Sequence, residues 1–302
     1  MLEDIQELVV REKSALTLSY VMSTTSIYSD TGNTDDTTQD FTSSGGNEDG
    51  EWRARRFVAE KTGYISSIGN FKLGKTGSPD GSFYLEVYED DGGTTPMPDT
   101  KVAESGASQT ILCDDLNASG AYETFTWIRD CPFVEVGKTY WAVPKTIDYS
   151  YVDTTTEVWW RTDADGAVAQ NECAKYDANA STKWTTMGAD VGADLSVNMA
   201  KEIPLAPGNT MSLLVDFTKG SSVGVQMQLE FSHNEKDWFR EGDDTTTSSV
   251  VTTAPRERKV EEDGNIAVEF GVLCSNYARL SSKALNNATG AELSVTALVG
   301  WK

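Results

Sequence analysis

The stretch Val225-Gln226-Met227-Gln228-Leu229-Glu230-Phe231-Ser232 decides the fold class. Side chains on an extended chain point alternately to two faces, so Val225, Met227, Leu229 and Phe231 share one face while Gln226, Gln228, Glu230 and Ser232 share the other. The pattern predicts a strand with one face on an apolar core and one in water. The same period of two recurs in Phe83, Leu85 and Val87, in Met211, Leu213, Val215 and Phe217, and in Leu293, Val295, Ala297 and Val299. Turn-forming runs separate these segments: Thr76-Gly77-Ser78-Pro79-Asp80-Gly81, Asp90-Asp91-Gly92-Gly93 and Asp163-Ala164-Asp165-Gly166. The sequence shows no convincing helical crossovers of the kind a parallel sheet requires, so the chain reads as all-β, built from sandwiches.

A chain of 302 residues exceeds the usual size of a single core, and strands at this spacing favour two sandwiches over one large barrel. A composition break at Ile203-Pro204-Leu205-Ala206-Pro207-Gly208 sets the expected boundary. The expected organisation is an N-terminal arm and acidic flexible segment at 1–50, a β-sandwich at 51–203 and a C-terminal β-sandwich at 204–302. The last has the size and strand density of an immunoglobulin-like domain but lacks the Cys, Trp, Cys hallmark. At the N-terminus, Leu2, Ile5, Leu8 and Val9 are spaced as on a helix, with acidic residues near its start. A short amphipathic helix or arm follows from that spacing. It would be marginal alone in water, which makes these four residues interface candidates.

The net charge of −22 repels phosphate backbones and anionic lipid, so neither nucleic acid nor a membrane surface is an expected partner. The acidic excess fits solubility at high concentration, tolerance of cations and salt, or a basic partner. No apolar run approaches the roughly 20 residues of a membrane helix, and the N-terminus carries no standard secretory signal. Arg53, Arg55 and Arg56 form the one basic cluster in an acidic region, readable as an interface with acidic loops or as a solvated strand face. Cys113 and Cys131 read as buried thiols or as a bridge between neighbouring strands.

His233 is the single histidine, which removes histidine-based triads and His-rich zinc sites, and no enzyme is expected. Calcium is a better candidate than catalysis, because Asp/Gly loops supply hard oxygen ligands, and Asp90, Asp91, Asp163 and Asp165 are the residues to inspect. Solvated turns explain the same residues. Eight tryptophans raise the question of a binding platform, with Trp141, Trp159, Trp160 and Trp184 in the first sandwich. Adjacent Trp159 and Trp160 point to opposite sheet faces, so at most one is expected in the core. The other would pack under a loop, lie at a subunit interface or meet a glycan.

Two stretches carry a family resemblance. Gly81-Ser82-Phe83-Tyr84-Leu85-Glu86-Val87-Tyr88-Glu89-Asp90-Asp91-Gly92-Gly93-Thr94-Thr95-Pro96, with Val102-Ala103-Glu104-Ser105 and Phe133-Val134-Glu135-Val136-Gly137-Lys138-Thr139-Tyr140-Trp141-Ala142-Val143, resembles a jelly-roll module of phage head and tail appendages and some secreted carbohydrate-binding proteins. Val158-Trp159-Trp160-Arg161 and Lys183-Trp184 follow in the expected order, and the resemblance spans roughly residues 52–200. Leu229-Glu230-Phe231-Ser232-His233-Asn234-Glu235-Lys236-Asp237-Trp238-Phe239, with Tyr277-Ala278-Arg279-Leu280-Ser281-Ser282-Lys283-Ala284, is similar to small sandwich domains of tailed-phage virion proteins, departing from them in the turn at 233–236. Together they imply an N-terminal jelly roll, a virion location as capsid decoration, head fibre or tail appendage, contacts with the major capsid or other virion proteins, and a homo-oligomer, by analogy a trimer. A carbohydrate-binding module recognising surface polysaccharide is the alternative.

Overall fold

The computed structural model describes residues 5–16, 21–30, 37–40, 52–148, 156–163, 173–176, 183–186, 190–191, 195–205, 210–240, 242–247, 250–255, 257–270 and 275–300. Among them the regular structure is strand, apart from a 3-10 turn at Cys113–Asp115. The chain forms two compact units, Ser26–Met199 and a second joining Met1–Thr25 to Ala200–Lys302.

The first unit is built from two antiparallel sheets. In one, the long strand Gly63–Thr76 pairs with Ala121–Thr126, Phe133–Val134, Glu157–Asp163 and Leu195–Ala200. In the other, the order runs Trp184–Thr186, Cys173–Tyr176, Trp52–Val58, Thr139–Ile147, Ser82–Asp90, Pro98–Lys101. Taken in sequence, Trp52–Val58, Gly63–Thr76, Ser82–Asp90, Ala121–Thr126, Thr139–Ile147 and Glu157–Asp163 alternate between the sheets, the course of a jelly roll. Phe83, Leu85 and Val87 are buried as their alternation requires, with Phe71 in ring contact with both Phe125 and Trp160.

The second unit pairs a four-stranded sheet, in the order Ile5–Ala15, Glu292–Gly300, Thr210–Thr218, Gly264–Phe270, with a six-stranded sheet centred on Tyr277–Ala284 and Val225–Ser232. Their core combines Met211, Leu213, Val215, Phe217, Leu293, Val295, Ala297 and Val299 from one sheet with Val225, Met227, Leu229, Ala278 and Leu280 from the other. Each fully buried aliphatic side chain of this kind contributes about 1.5–3 kcal/mol.

Two expectations are corrected. The N-terminus is neither a helix nor a separate arm: Ile5–Ala15 is a strand, antiparallel to Glu292–Gly300, and belongs to the second unit. Val10 is fully buried and Leu8 packs beside it, while Val9 faces out at 43% exposure. Leu8, Val9 and Val10 are apolar in succession, so no alternation shows in the sequence, and register breaks between Val9 and Arg11 and between Arg11 and Ser14 let neighbouring Val10 and Arg11 both be buried. Leu2 lies outside the described residues, as does the side chain of Ile5.

The other correction concerns Val225–Ser232. Its polar face is not wet: Gln226, Gln228, Glu230 and Ser232 are all buried. The strand is central, flanked by Tyr277–Ala284 and Glu257–Val260. Arg279 donates through Nε to Glu230 at 2.7 Å, and its guanidinium lies 4.3 Å from the centre of the Trp238 ring. Trp238 is fixed in turn by its Nε1–H donating to the Glu235 carbonyl at 2.8 Å. Cys113 and Cys131 are buried thiols with no bridge between them, and burial pushes the Cys113 thiol up to about 12, Asp80 adding to the effect.

Candidate functional site

Alternation on the seven-stranded sheet of the first unit gathers aromatic residues on the face opposite its core. Register places Trp184 opposite Tyr176 and Tyr176 opposite Trp52, a row across three strands of which the one carrying Trp52 is far from the other two in sequence. Trp52 and Tyr176 stack at 4.3 Å with 14° between their planes, and Trp184 meets Tyr176 edge-on at 5.1 Å and 63°. On the next strands Tyr88 stands opposite Trp141 and lies 6.4 Å from Trp184. Trp52, Tyr88, Tyr176, Trp184 and Met97 are all half-buried, over a floor of Ala54, Trp141, Val143 and Ala174.

A charged network runs through the aromatic cluster. The Lys145 ammonium donates to Glu86 Oε2 at 2.6 Å and to the Tyr88 hydroxyl at 2.5 Å, and it sits 3.8 Å from the Trp52 ring centre. Lys101 approaches the other Glu86 oxygen at 3.3 Å. Burial opposes ionisation of Glu86, yet Lys145 and Lys101 hold its carboxyl below the ordinary carboxylate range. The same burial, with Glu86 alongside, raises the Tyr88 phenol, so Tyr88 stays protonated and donates to Glu86 Oε2 at 3.2 Å. The face therefore combines packed aromatic rings with a locked ion pair among them.

No protein-family model matches the sequence, and no curated protein matches it. Among solved structures the chain is weakly similar to the PBSX exported protein XepA, with 11% identity over 98% of this chain and 86% of that one at a TM-score of 0.22. It is also weakly similar to the CBM22-1–CBM22-2 tandem domain of Xyn10C from Paenibacillus barcinonensis, with 9% identity over 99% and 98% of the two chains and a TM-score of 0.22.

The residues singled out from sequence fall in different places. Trp184 lies in the aromatic face, and Trp141 forms its floor, fully buried with Nε1–H donating to Asp90 Oδ2 at 2.8 Å. Trp160 is in the sandwich core, 5.0 Å from Phe71. Trp159 points to the opposite face and is still buried, at 7% exposure, so both adjacent tryptophans are covered. Its ring occupies space left by Gly74 on the paired strand and by Gly120, where a Cβ would come within 2.2 and 2.7 Å of it. It packs under a turn, one of the three placements expected for the outward residue.

The basic cluster is not a surface patch. Arg53 and Arg55 are buried on the side shared with Phe57, whereas Arg56 points the other way, 3.7 Å from Asp90. Strand alternation splits the three cations between faces. The calcium candidates Asp90 and Asp91 sit in a turn whose backbone they hold. Asp90 accepts from the Gly92 N–H and from Trp141 Nε1–H, and Asp91 Oδ1 accepts from the N–H groups of Gly93 and Met97. Among the described residues no acidic or thiol cluster could hold a metal. The side chain of Asp163 and all of Asp165 lie outside the described residues. His233 is exposed on the hairpin turn.

Sequence reasoning missed Trp52, Tyr88, Tyr176, Lys145 and Glu86. Each sits at an unremarkable position in its own strand. Only the register between four strands makes them neighbours.

Proposed function

We propose that the protein is a non-catalytic structural component of a tailed-phage virion, a capsid decoration, head fibre or tail appendage, that holds other virion proteins through the aromatic face of its first unit. The observation that carries this reading is the composition of that face. Two tryptophans, two tyrosines and Met97 form a half-buried centre bordered by Lys101, Glu86, Arg56 and Asp90. Protein contact surfaces are enriched in Trp, Tyr, Met and Arg at their energetic centre, with a polar rim. The two sequence stretches that resemble virion sandwich domains support the location. In a symmetric assembly modest contacts add through avidity, and a homo-oligomer, a trimer by analogy, suits that role.

Half-buried Trp184 and Tyr176 favour a carbohydrate-binding module as the second reading. Stacking on pyranose rings uses open, coplanar aromatic faces. Here Trp52 lies between Tyr176 on one neighbouring strand and Lys145 on the other, and Trp184 stands at 63° to Tyr176. That geometry suits an interlocking protein surface better than a sugar platform. Gradient-purified virions analysed by peptide mass spectrometry test the proposal: this reading expects peptides of the chain at stoichiometry with capsid or tail proteins. Their absence, or saturable polysaccharide binding lost in Trp184→Ala, would overturn it.

A further inference from the structure

We propose that the second unit binds a small oxyanion, a carboxylate or a phosphate, in the cavity beside Arg11. This cavity, about 480 Å³, is lined by Arg11, Lys13, Ser23, Thr24 and Lys201, with Glu12 the one acidic side chain among its walls. It concentrates three cations in a chain whose net charge is −22. The proposal is independent of the aromatic face, which lies in the other unit.

Arg11 is the central observation. It is 9% exposed, and its guanidinium donates through Nη1 to Ser282 Oγ at 3.2 Å and through Nη2 to the Ala15 carbonyl at 3.1 Å. Both acceptors are neutral, Nε is buried without an acceptor, and no carboxylate among the described residues forms an ion pair with it. A buried cation lacking a counter-charge is costly, and burial accordingly pulls the Arg11 pKa down. Ser23 is 6% exposed, and its hydroxyl also has no hydrogen-bond partner. The Lys201 backbone N–H donates to the Ser23 carbonyl at 2.8 Å, which fixes Lys201 beside that hydroxyl. Lys13 is less committed to the site, because it pairs with Glu292 at 3.7 Å. Donors without acceptors and a cation without a counter-ion share one complement, a planar or tetrahedral oxyanion.

Calorimetric titration of the full-length protein with sodium phosphate, and separately with sodium acetate, tests the proposal against sodium chloride at matched ionic strength. Saturable one-to-one binding of either oxyanion is expected, and the responding salt identifies the chemistry. Lys201→Glu should weaken it at least tenfold and Ser23→Ala severalfold, both with parental far-ultraviolet circular dichroism, while Arg11→Lys provides a further variant with the charge retained. Heats indistinguishable from the chloride blank, or unchanged affinity in Lys201→Glu, would overturn it.

Discussion

Replacing Lys145 with Met removes the ammonium that organises the aromatic face while keeping much of the side chain's volume. Lys145 and Glu86 side chains are 6% and 12% exposed, with 2.6 Å between Nζ and Oε2. Breaking a buried pair from one side costs about 3–5 kcal/mol, because the remaining charge stays buried. Glu86 keeps Lys101 and the Tyr88 hydroxyl, which lowers the expected loss, whereas the lost contact with Trp52 adds about 1 kcal/mol. Lys145→Met should therefore destabilise the first unit by about 2–4 kcal/mol. The double variant Lys145→Met with Glu86→Leu removes both charges and should recover to within about 1 kcal/mol of the parent, giving a large coupling energy. Urea unfolding followed by tryptophan fluorescence reads this, fitted with a separate transition for each unit. Because the folded-state pKa of Glu86 lies below its ordinary value, the pair's contribution is present above that ordinary value and disappears as pH falls through the folded one. A parental midpoint for Lys145→Met, or additive losses in the double variant, would refute the reasoning.

Other outcomes follow from the same structure. Burial, with Glu235 nearby, raises Glu202 to about 7 against an ordinary 4.5, and Arg279 only partly opposes this. A raised carboxyl destabilises the fold as pH climbs from 4.5 through 7, so Glu202→Gln should gain about 1 kcal/mol at pH 8, after discounting for partial exposure, and nothing at pH 4 in chemical denaturation. Gly74→Ala drives a Cβ to 2.2 Å from the Trp159 ring and should cost about 1–3 kcal/mol, seen as a lower melting temperature and a shifted tryptophan emission. Deleting residues 1–15 strips an edge strand from the second unit and exposes the core beside Val10, so that unit should melt earlier while the first keeps its transition; unchanged melting of both would contradict the pairing.

Much of the fold was legible because burial follows local alternation. Met211 to Phe217, Leu293 to Val299 and Phe83 to Val87 each bury the residues that their period of two selects. What escaped depends on contacts that a linear pattern does not encode. The N-terminal strand was hidden because Leu8, Val9 and Val10 run together without alternation, and the polar face of Val225–Ser232 was read as wet because its flanking strands and Trp238 cover it from elsewhere in the chain. Trp159 is covered because two glycines, one 46 positions downstream of the other, leave room for its ring. Of the aromatic face, Trp184 and Trp141 were legible as conspicuous aromatics, whereas Trp52, Tyr88, Tyr176 and the Lys145–Glu86 pair emerge only from cross-strand register.

Add-back of the purified full-length protein to virion particles prepared without it tests the central claim most directly. Saturable binding is predicted, weakened at least tenfold by Trp184→Glu with circular dichroism unchanged. Equal binding of parent and Trp184→Glu would contradict the role of the aromatic face, and no binding of the parent would contradict the virion assignment itself.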